Sequence, residues 1–375
     1  MKWPEKKIGD LTEVLSGFAF DSQFFNNEMG FKLIRIRDVV RGFSETFYNG
    51  KFEDRYVVKE GDFLIGMDGE FNIAKWGKEP ALLNQRVCKI TVKNNLLDEK
   101  YLFHFLPKQL KLIEDVTPFV TVKHLSVKKI NEIKIPLPPL AEQQRIAAVL
   151  DTAERILKQR ESAIAKLDQL ASTTFDEMYD ELDSVSTKSL GEILDLQRGA
   201  SPRPISDWMT EDVDGVNWIK IADATASDKY IYKCKERIKK EAVAMTRYVK
   251  SGDFLLSNSM SFGRPYILKT DGCIHDGWLL LRDTKNIFEQ DYLYAVLSCR
   301  SVKEQFKKLA TGAVVKNLNI DAVSKVKVKI PSQDIQKIFS KKMHELESNK
   351  ANHVKQLGVI NKLLGSLQHQ SFAVN

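Results

Sequence analysis

Asp115 followed by Glu132-x-Lys134 has the residue types and order of a metal-dependent nuclease, with carboxylates for a divalent cation and an ammonium beside them. Such acid-x-Lys triplets arise readily where 29% of residues are charged, and the later half of the chain has Lys325-Val326-Lys327-Val328-Lys329 at the matching place, without an acid. Cleavage by this set is therefore a rival reading. Other catalytic signatures are absent from the sequence. There is no Gly-x-x-x-x-Gly-Lys phosphate loop, no His-Glu-x-x-His zinc motif and no Asn-Pro-Pro-aromatic motif of a base methyltransferase. The six histidines do not cluster, and Cys88, Cys234, Cys273 and Cys299 form no Cys-x-x-Cys pair, so they read as small buried side chains and no metal is expected.

A second kind of chemistry fits better. Asn72, Lys75, Asn84, Gln85, Arg86, Lys123 and His124 form one set of polar side chains beside strand-like runs, and Asn258, Ser259, Arg264, His275, Asp276, Lys316 and Asn317 form another. Arg or Lys reads guanine edges and Asn or Gln reads adenine edges, while other cations neutralise phosphates. The sets suit duplex DNA, although each residue taken singly reads equally well as a solvated or structural polar group. Trp76, Trp218 and Trp278 read as core. Asp62 and Asp253, in a recurring Gly-Asp-Phe-Leu, read as turn formers.

These sets need elements to position them, and the chain supplies the elements twice. Leu33-Ile34-Arg35-Ile36-Arg37-Asp38 recurs as Trp218-Ile219-Lys220-Ile221-Ala222-Asp223, Gly61-Asp62-Phe63-Leu64 as Gly252-Asp253-Phe254-Leu255, and Val122-Lys123-His124-Leu125 as Val315-Lys316-Asn317-Leu318. Glu142-x-Gln144-Arg145-Ile146 is matched to Asp334-x-Gln336-Lys337-Ile338. Short strands are expected over 32–36, 62–65, 217–221 and 253–256, with helices over 99–112 and 290–309. A proline boundary closes each copy, at Pro136-Leu137-Pro138-Pro139 and at Pro331.

Beyond each boundary the hydrophobic period becomes helical. Ile146, Leu150, Leu157, Ile164 and Leu167 lie on a 3-4 seam, as do Phe339, Leu346, Leu357, Ile360 and Leu364. A helix of about 40 residues extends about 60 Å. Arg160, Lys350 and His353 fall on the seam, where they read as snorkelling side chains or as register-fixing ones, the former being preferred.

The expected domains are 1–139, 140–182, 183–332 and 333–375, with net charges of +3, −4, +5 and +3. The opposite signs of the helical blocks favour their pairing. The fold class expected is α+β: two mixed α/β domains separated by two long helices that pair as an antiparallel coiled coil, related as a pseudo-two-fold internal repeat. No apolar run approaches a membrane span, and Met1–Lys7 lacks the apolar core of a signal peptide, so a cytoplasmic location is expected.

Pro136-Leu137-Pro138-Pro139-Leu140-Ala141-Glu142-Gln143-Gln144-Arg145-Ile146, running into a long helix, resembles the central conserved region of type I restriction-modification specificity subunits. Gly61-Asp62-Phe63-Leu64 with Asn84-Gln85-Arg86-Val87 is similar to their target-recognition domains. The second copy departs at Ile330-Pro331-Ser332-Gln333-Asp334, which lacks the double proline. The resemblance implies a non-catalytic subunit in which each target-recognition domain reads half of a bipartite duplex site and the helices set the spacer. It also implies as partners two copies of an adenine-methylating modification subunit and a translocating restriction subunit. S-adenosylmethionine, ATP and magnesium would belong to those partners, with no cofactor in this chain. The other rival is a helical scaffold that binds protein partners without reading DNA.

Overall fold

The computed structural model describes residues 3–77, 79–118, 123–182, 185–224, 229–258, 262–310 and 317–372. The chain forms two compact units, Met1–Glu161 with Lys355–Asn375, and Ser162–Val354. Each unit contains one mixed α/β domain and part of each long helix.

In the first unit an antiparallel sheet has the order Thr12–Ser16, Val87–Val92, Phe63–Gly66, Ile73–Lys75. A second, mixed sheet has the order Phe25–Asn26, Phe47–Tyr48, Phe31–Ile34, Ala81–Leu83, Val57–Val58. The second unit repeats this plan, with Asp195–Arg198, Trp278–Arg282, Phe254–Ser257, Pro265–Leu268 and Tyr230–Ile231 in one sheet. Met209–Thr210, Glu236–Ile238, Val216–Ile219, Gly272–Ile274 and Arg247–Val249 form the other.

Strand alternation explains the layering. Phe63 and Ile65 face the core made with the helix Glu99–Val116 and with Ile146, Ala147 and Leu150, whereas Leu64 faces the second sheet through Ile34, Ala81 and Leu83. Phe254 and Leu256 divide from Leu255 in the same way. The Gly-Asp-Phe-Leu segments enter these strands by matching turns. Gly61 and Gly252 have φ of +87° and +97°, and the carboxylates of Asp62 and Asp253 accept the Lys59 and Lys250 backbone N–H at 2.8 Å. The three tryptophans lie in the core, as expected.

The helix expected over 290–309 is two helices, Gln290–Ser298 and Arg300–Leu309, broken where Cys299 is extended and the Arg300 N–H donates to Asp176 Oδ1 at 3.0 Å. The helix expected over 99–112 runs from Glu99 to Val116, with Pro107 inside it. The cysteines are free, and burial pushes the Cys88 thiol up to about 12, which suits the apolar reading.

The long helices are Leu140–Asp180 and Gln333–Phe372, hereafter the central and distal helices. In the second unit they pair antiparallel: Lys350 Nζ meets Asp168 Oδ1 at 2.6 Å, and Phe339 meets Phe175 with ring centroids 4.5 Å apart. In the first unit Ile146 and Leu150 share a core with Leu364, Leu367 and Phe372. Leu157, Ile164, Leu167, Leu346, Leu357 and Ile360 are half-buried on the seam. Lys350 does not snorkel; its pair with Asp168 crosses between helices and fixes local register. Phe175 and Tyr179, absent from the expected contact set, are the buried anchors of the central helix in the second unit.

Candidate nucleic-acid interface

In each unit four separate segments are knotted at the end of the Gly-Asp-Phe-Leu strand. In the first, the Met67 N–H donates to Arg86 O at 3.0 Å, the Leu125 N–H to Met67 O at 2.7 Å and the Gly17 N–H to Val87 O at 2.9 Å. In the second, the Asn258 N–H donates to Gly277 O at 3.2 Å, the Leu318 N–H to Asn258 O at 2.9 Å and the Gly199 N–H to Trp278 O at 3.0 Å. The bonds correspond one for one. They bring together the loop after the strand, the turn joining the two sheets (84–86 or 275–277), the segment ahead of a short capped helix (123–125 or 317–318) and the glycine that follows the domain's edge strand (Gly17 or Gly199).

Of the first set, Asn84, Gln85 and Arg86 occupy the joining turn, with Gln85 and Arg86 exposed. Asp68 organises the cluster: one carboxylate oxygen takes the Arg86 guanidinium, and the other lies 2.6 Å from His124 Nδ1. Asn72 is close by, its backbone carbonyl accepting the Gly66 N–H at 2.9 Å. Lys123 Nζ is engaged at 2.7 Å by Glu114 O, near the end of the helix Glu99–Val116. Lys75 is not brought in. It pairs with Phe63 at the opposite end of the hairpin, its ammonium 5.4 Å from that ring's centroid.

Of the second set, His275 and Asp276 occupy the equivalent turn. Asn258 is buried and donates its amide to Asp276 O at 2.9 Å, and Arg264 is exposed beside Ser257 with its guanidinium 5.3 Å from the Tyr266 ring. Asn317 is exposed beside Leu318, while Ser259 and Lys316 lie outside the described residues. Burial lowers the His275 pKa, and its Nδ1 accepts the Gly277 N–H at 2.9 Å, so the neutral ring carries its proton on Nε2. Burial alone would raise the Asp276 pKa, but bonds from Ser201 and its own backbone, with the nearby charge of Arg203, lower it. The two surfaces therefore differ. The first presents an Asp-held Arg and His, and the second an anionic turn flanked by Arg198 and Arg203.

Sequence reasoning missed Asp68, Arg198, Arg203 and Phe18. Phe18 is a 44% exposed aromatic whose carbonyl accepts the Gln85 N–H at 3.0 Å. It also missed Gly17 and Gly199, whose absent side chains let the sheets approach. The nuclease-like set gains little: Asp115 pairs with Lys111 at 3.2 Å, and among the described residues no group of three or more His, Cys, Asp or Glu could hold a metal ion.

A twice-built surface on a duplicated α/β plan agrees with the family comparison. The family model described as type I restriction modification DNA specificity domain matches residues 1–166 and again 183–362. The chain belongs to this specificity family. Its relatives include the EcoBI type I restriction enzyme specificity subunit of Escherichia coli, 45% identical over 169 residues, which are 45% of this chain and 35% of that protein. The match thus spans about a third of that relative. The MjaVIII specificity subunit of Methanocaldococcus jannaschii is 23% identical over 323 residues, 78% of this chain and 73% of that one.

Solved structures carry the same fold. A type I restriction-modification S subunit from M. genitalium has a TM-score of 0.58 at 16% identity, covering 100% of this chain and 97% of that one. A chain from a study of complex assembly and conformational transition in the type I R-M system has a TM-score of 0.66 at 18% identity, covering 99% and 97%. The specificity-family fold is thus two mixed α/β recognition domains with two long, antiparallel-paired helices. Among the described residues no helix is long and apolar enough to cross a membrane.

Proposed function

We propose that this chain is the DNA-reading, non-catalytic subunit of a type I restriction-modification complex. Each recognition domain reads one half of a bipartite duplex site, and the helix pair sets the spacer. The observation that carries this reading is the four-segment knot, built twice on the same backbone bonds and dressed with different side chains. Two dissimilar half-sites follow from that difference. Arg86 and Gln85 have the donors to read guanine and adenine edges in one half-site, while Arg198 and Arg203 suit phosphates beside the other. Methylation, with S-adenosylmethionine, belongs to two copies of an adenine-methylating partner. ATP-driven cleavage, with magnesium, belongs to a translocating restriction subunit, and the assembly works in the cytoplasm.

Exchanging residues 1–139 for those of another family member should change one half-site and leave the other intact, as read by methylome sequencing of the host. A change in both halves would overturn the independent-reader function. Arg86→Ala should cost about 1–3 kcal/mol of binding and relax the choice at one base pair of the first half-site. A uniform loss across sequences would make Arg86 a phosphate contact instead. Binding of the complex to its duplex should also fall steeply with salt.

A further inference from the structure

Each recognition domain is clasped to the helices of its own unit by one buried cation. In the first unit the cation site is His104, on the helix Glu99–Val116, with its side chain 1% exposed. Its Nε2 lies 2.8 Å from Asp151 Oδ1 and its Nδ1 3.3 Å from Glu154 Oε1, both on the central helix. Lys100, one turn earlier on the recognition-domain helix, shares Asp151 at 2.8 Å.

In the second unit the cation is Lys229, its side chain 11% exposed. Its Nζ lies 2.9 Å from Asp291 Oδ1 on the recognition-domain helix and 2.5 Å from Glu347 Oε1 on the distal helix. The rings of Tyr230 and Tyr294 stand 5.3 and 5.0 Å from the ammonium. Together these groups line a cavity of about 430 Å³ beside Phe175 and Met343.

The two glutamates are equivalent. Gln143 and Gln336 are wholly buried and make the same three bonds in each unit, and Glu154 and Glu347 lie eleven residues beyond them. The duplication has thus kept one helix carboxylate in place and answered it with a cation from two unrelated positions of the recognition domain. A retained carboxylate met by independently placed cations is what a required anchor leaves behind; a chance surface pair would not recur at the same helix position.

We propose that Glu154 with His104, and Glu347 with Lys229, are positioning clasps that fix how each recognition domain is oriented on its helices and thereby restrict the half-site separations the protein accepts. This rests on the DNA-reading function above.

The clasps also differ in how they titrate. Burial works against a charged His104, but the contacts with Glu154 and Asp151 outweigh it and its pKa is raised. The stabilisation is therefore complete below the ordinary histidine value and is lost as pH rises through the raised one. Lys229 stays charged across that range, its pKa raised by Glu347 and Asp291 against the cost of burial.

The test uses the full chain assembled with the methylating subunits of its own system. The assembly is offered duplexes with randomised halves and varied separations, and the bound fraction is sequenced. The wild-type assembly should select two half-sites at one separation. Lys229→Met, and the milder Glu347→Gln, should keep both half-site sequences while discrimination against separations one base pair longer or shorter falls about tenfold. Wild-type discrimination should also weaken between about pH 6 and pH 9, and His104→Lys should remove that pH dependence. If the variants and both pH values leave the separation preference unchanged while melting temperature drops, the clasps only support the fold and the inference is overturned. A wild-type assembly that selects no half-site would instead overturn the DNA-reading function.

Discussion

Gly17→Ala should lower stability by roughly 3 kcal/mol, at the top of the range for overpacking a closed site, and should erase the first half-site while the second survives. A Cβ at Gly17 would stand 2.2 Å from the carbonyl oxygen of Asn84, and one at Gly199 would stand 2.0 Å from that of His275. The obstacle in both cases is backbone, so no rotamer change relieves it. The obstructed carbonyl belongs to the turn that carries Gln85 and Arg86 in one unit and Asp276 in the other. Relief must come from moving that turn, which also carries the bonds from Met67 and Asn258 to Arg86 O and Gly277 O. Gly199→Ala should therefore do the reverse and erase the second half-site alone. Thermal unfolding and half-site selection measure the two effects together. Melting within about 1 °C of wild type would mean that the sheets have room to separate and that the close approach is not required.

The outcome for the sequence reading follows the range of the interactions involved. Patterns governed by neighbours three or four residues apart were legible. The seam through Ile146, Leu150, Leu346 and Leu357 is buried or half-buried as its spacing predicts, and the Gly-Asp-Phe-Leu turns close on their own aspartates. Contacts between distant segments were not. Nothing local marks Gly17 as the point where the first strand passes the turn at Asn84, or Asp68 as the anion that gathers Arg86 and His124 from opposite sides. Lys350 is illegible for the same reason, since in sequence a cation on an apolar seam looks the same whether it snorkels or meets an Asp168 opposite. Phe175 and Tyr179 fall off the seam because it drifts at the end of the central helix, where the second recognition domain takes over as the buried partner through Tyr292.

The repeat itself was legible, but its register at the helices was one residue out. Matching Gln144 to Gln336 pairs an exposed side chain with a buried one. The structure pairs Gln143 with Gln336. The Gln143 amide accepts the Asp98 N–H at 2.8 Å and donates to Leu96 O at 2.9 Å and to Pro138 O at 2.8 Å. The Gln336 amide accepts the Glu289 N–H at 2.8 Å and donates to Ile287 O and Pro331 O at 3.1 Å. The signal was present in the sequence. The offset that matches His124 to Asn317 is 193, and keeping it places Gln143, with Ile146 and Leu150 behind it, opposite Gln336, Phe339 and Met343.

The register error has a measurable counterpart. Asp98 caps the recognition-domain helix through the Lys100 and Tyr101 N–H groups at 3.0 and 2.9 Å, so the Gln143 amide ties the start of that helix to the start of the central one. Gln143→Ala would leave the Asp98 N–H and the Leu96 and Pro138 carbonyls without the partner that one wholly buried amide gives all three, and should cost about 3 kcal/mol. Gln144→Ala should stay within about 0.5 kcal/mol of wild type, as an exposed change away from any network does. Gln336→Ala should repeat the Gln143 loss in the second unit, because its three bonds are the same. Glutamate in place of Gln143 separates the roles of the amide: it keeps the acceptor for Asp98 but sets a carboxylate against the carbonyls of Leu96 and Pro138, so it should be at least as damaging as alanine. Equal melting curves for the Gln143 and Gln144 variants, measured by chemical or thermal unfolding, would remove the buried amide as the joint between recognition domain and helix.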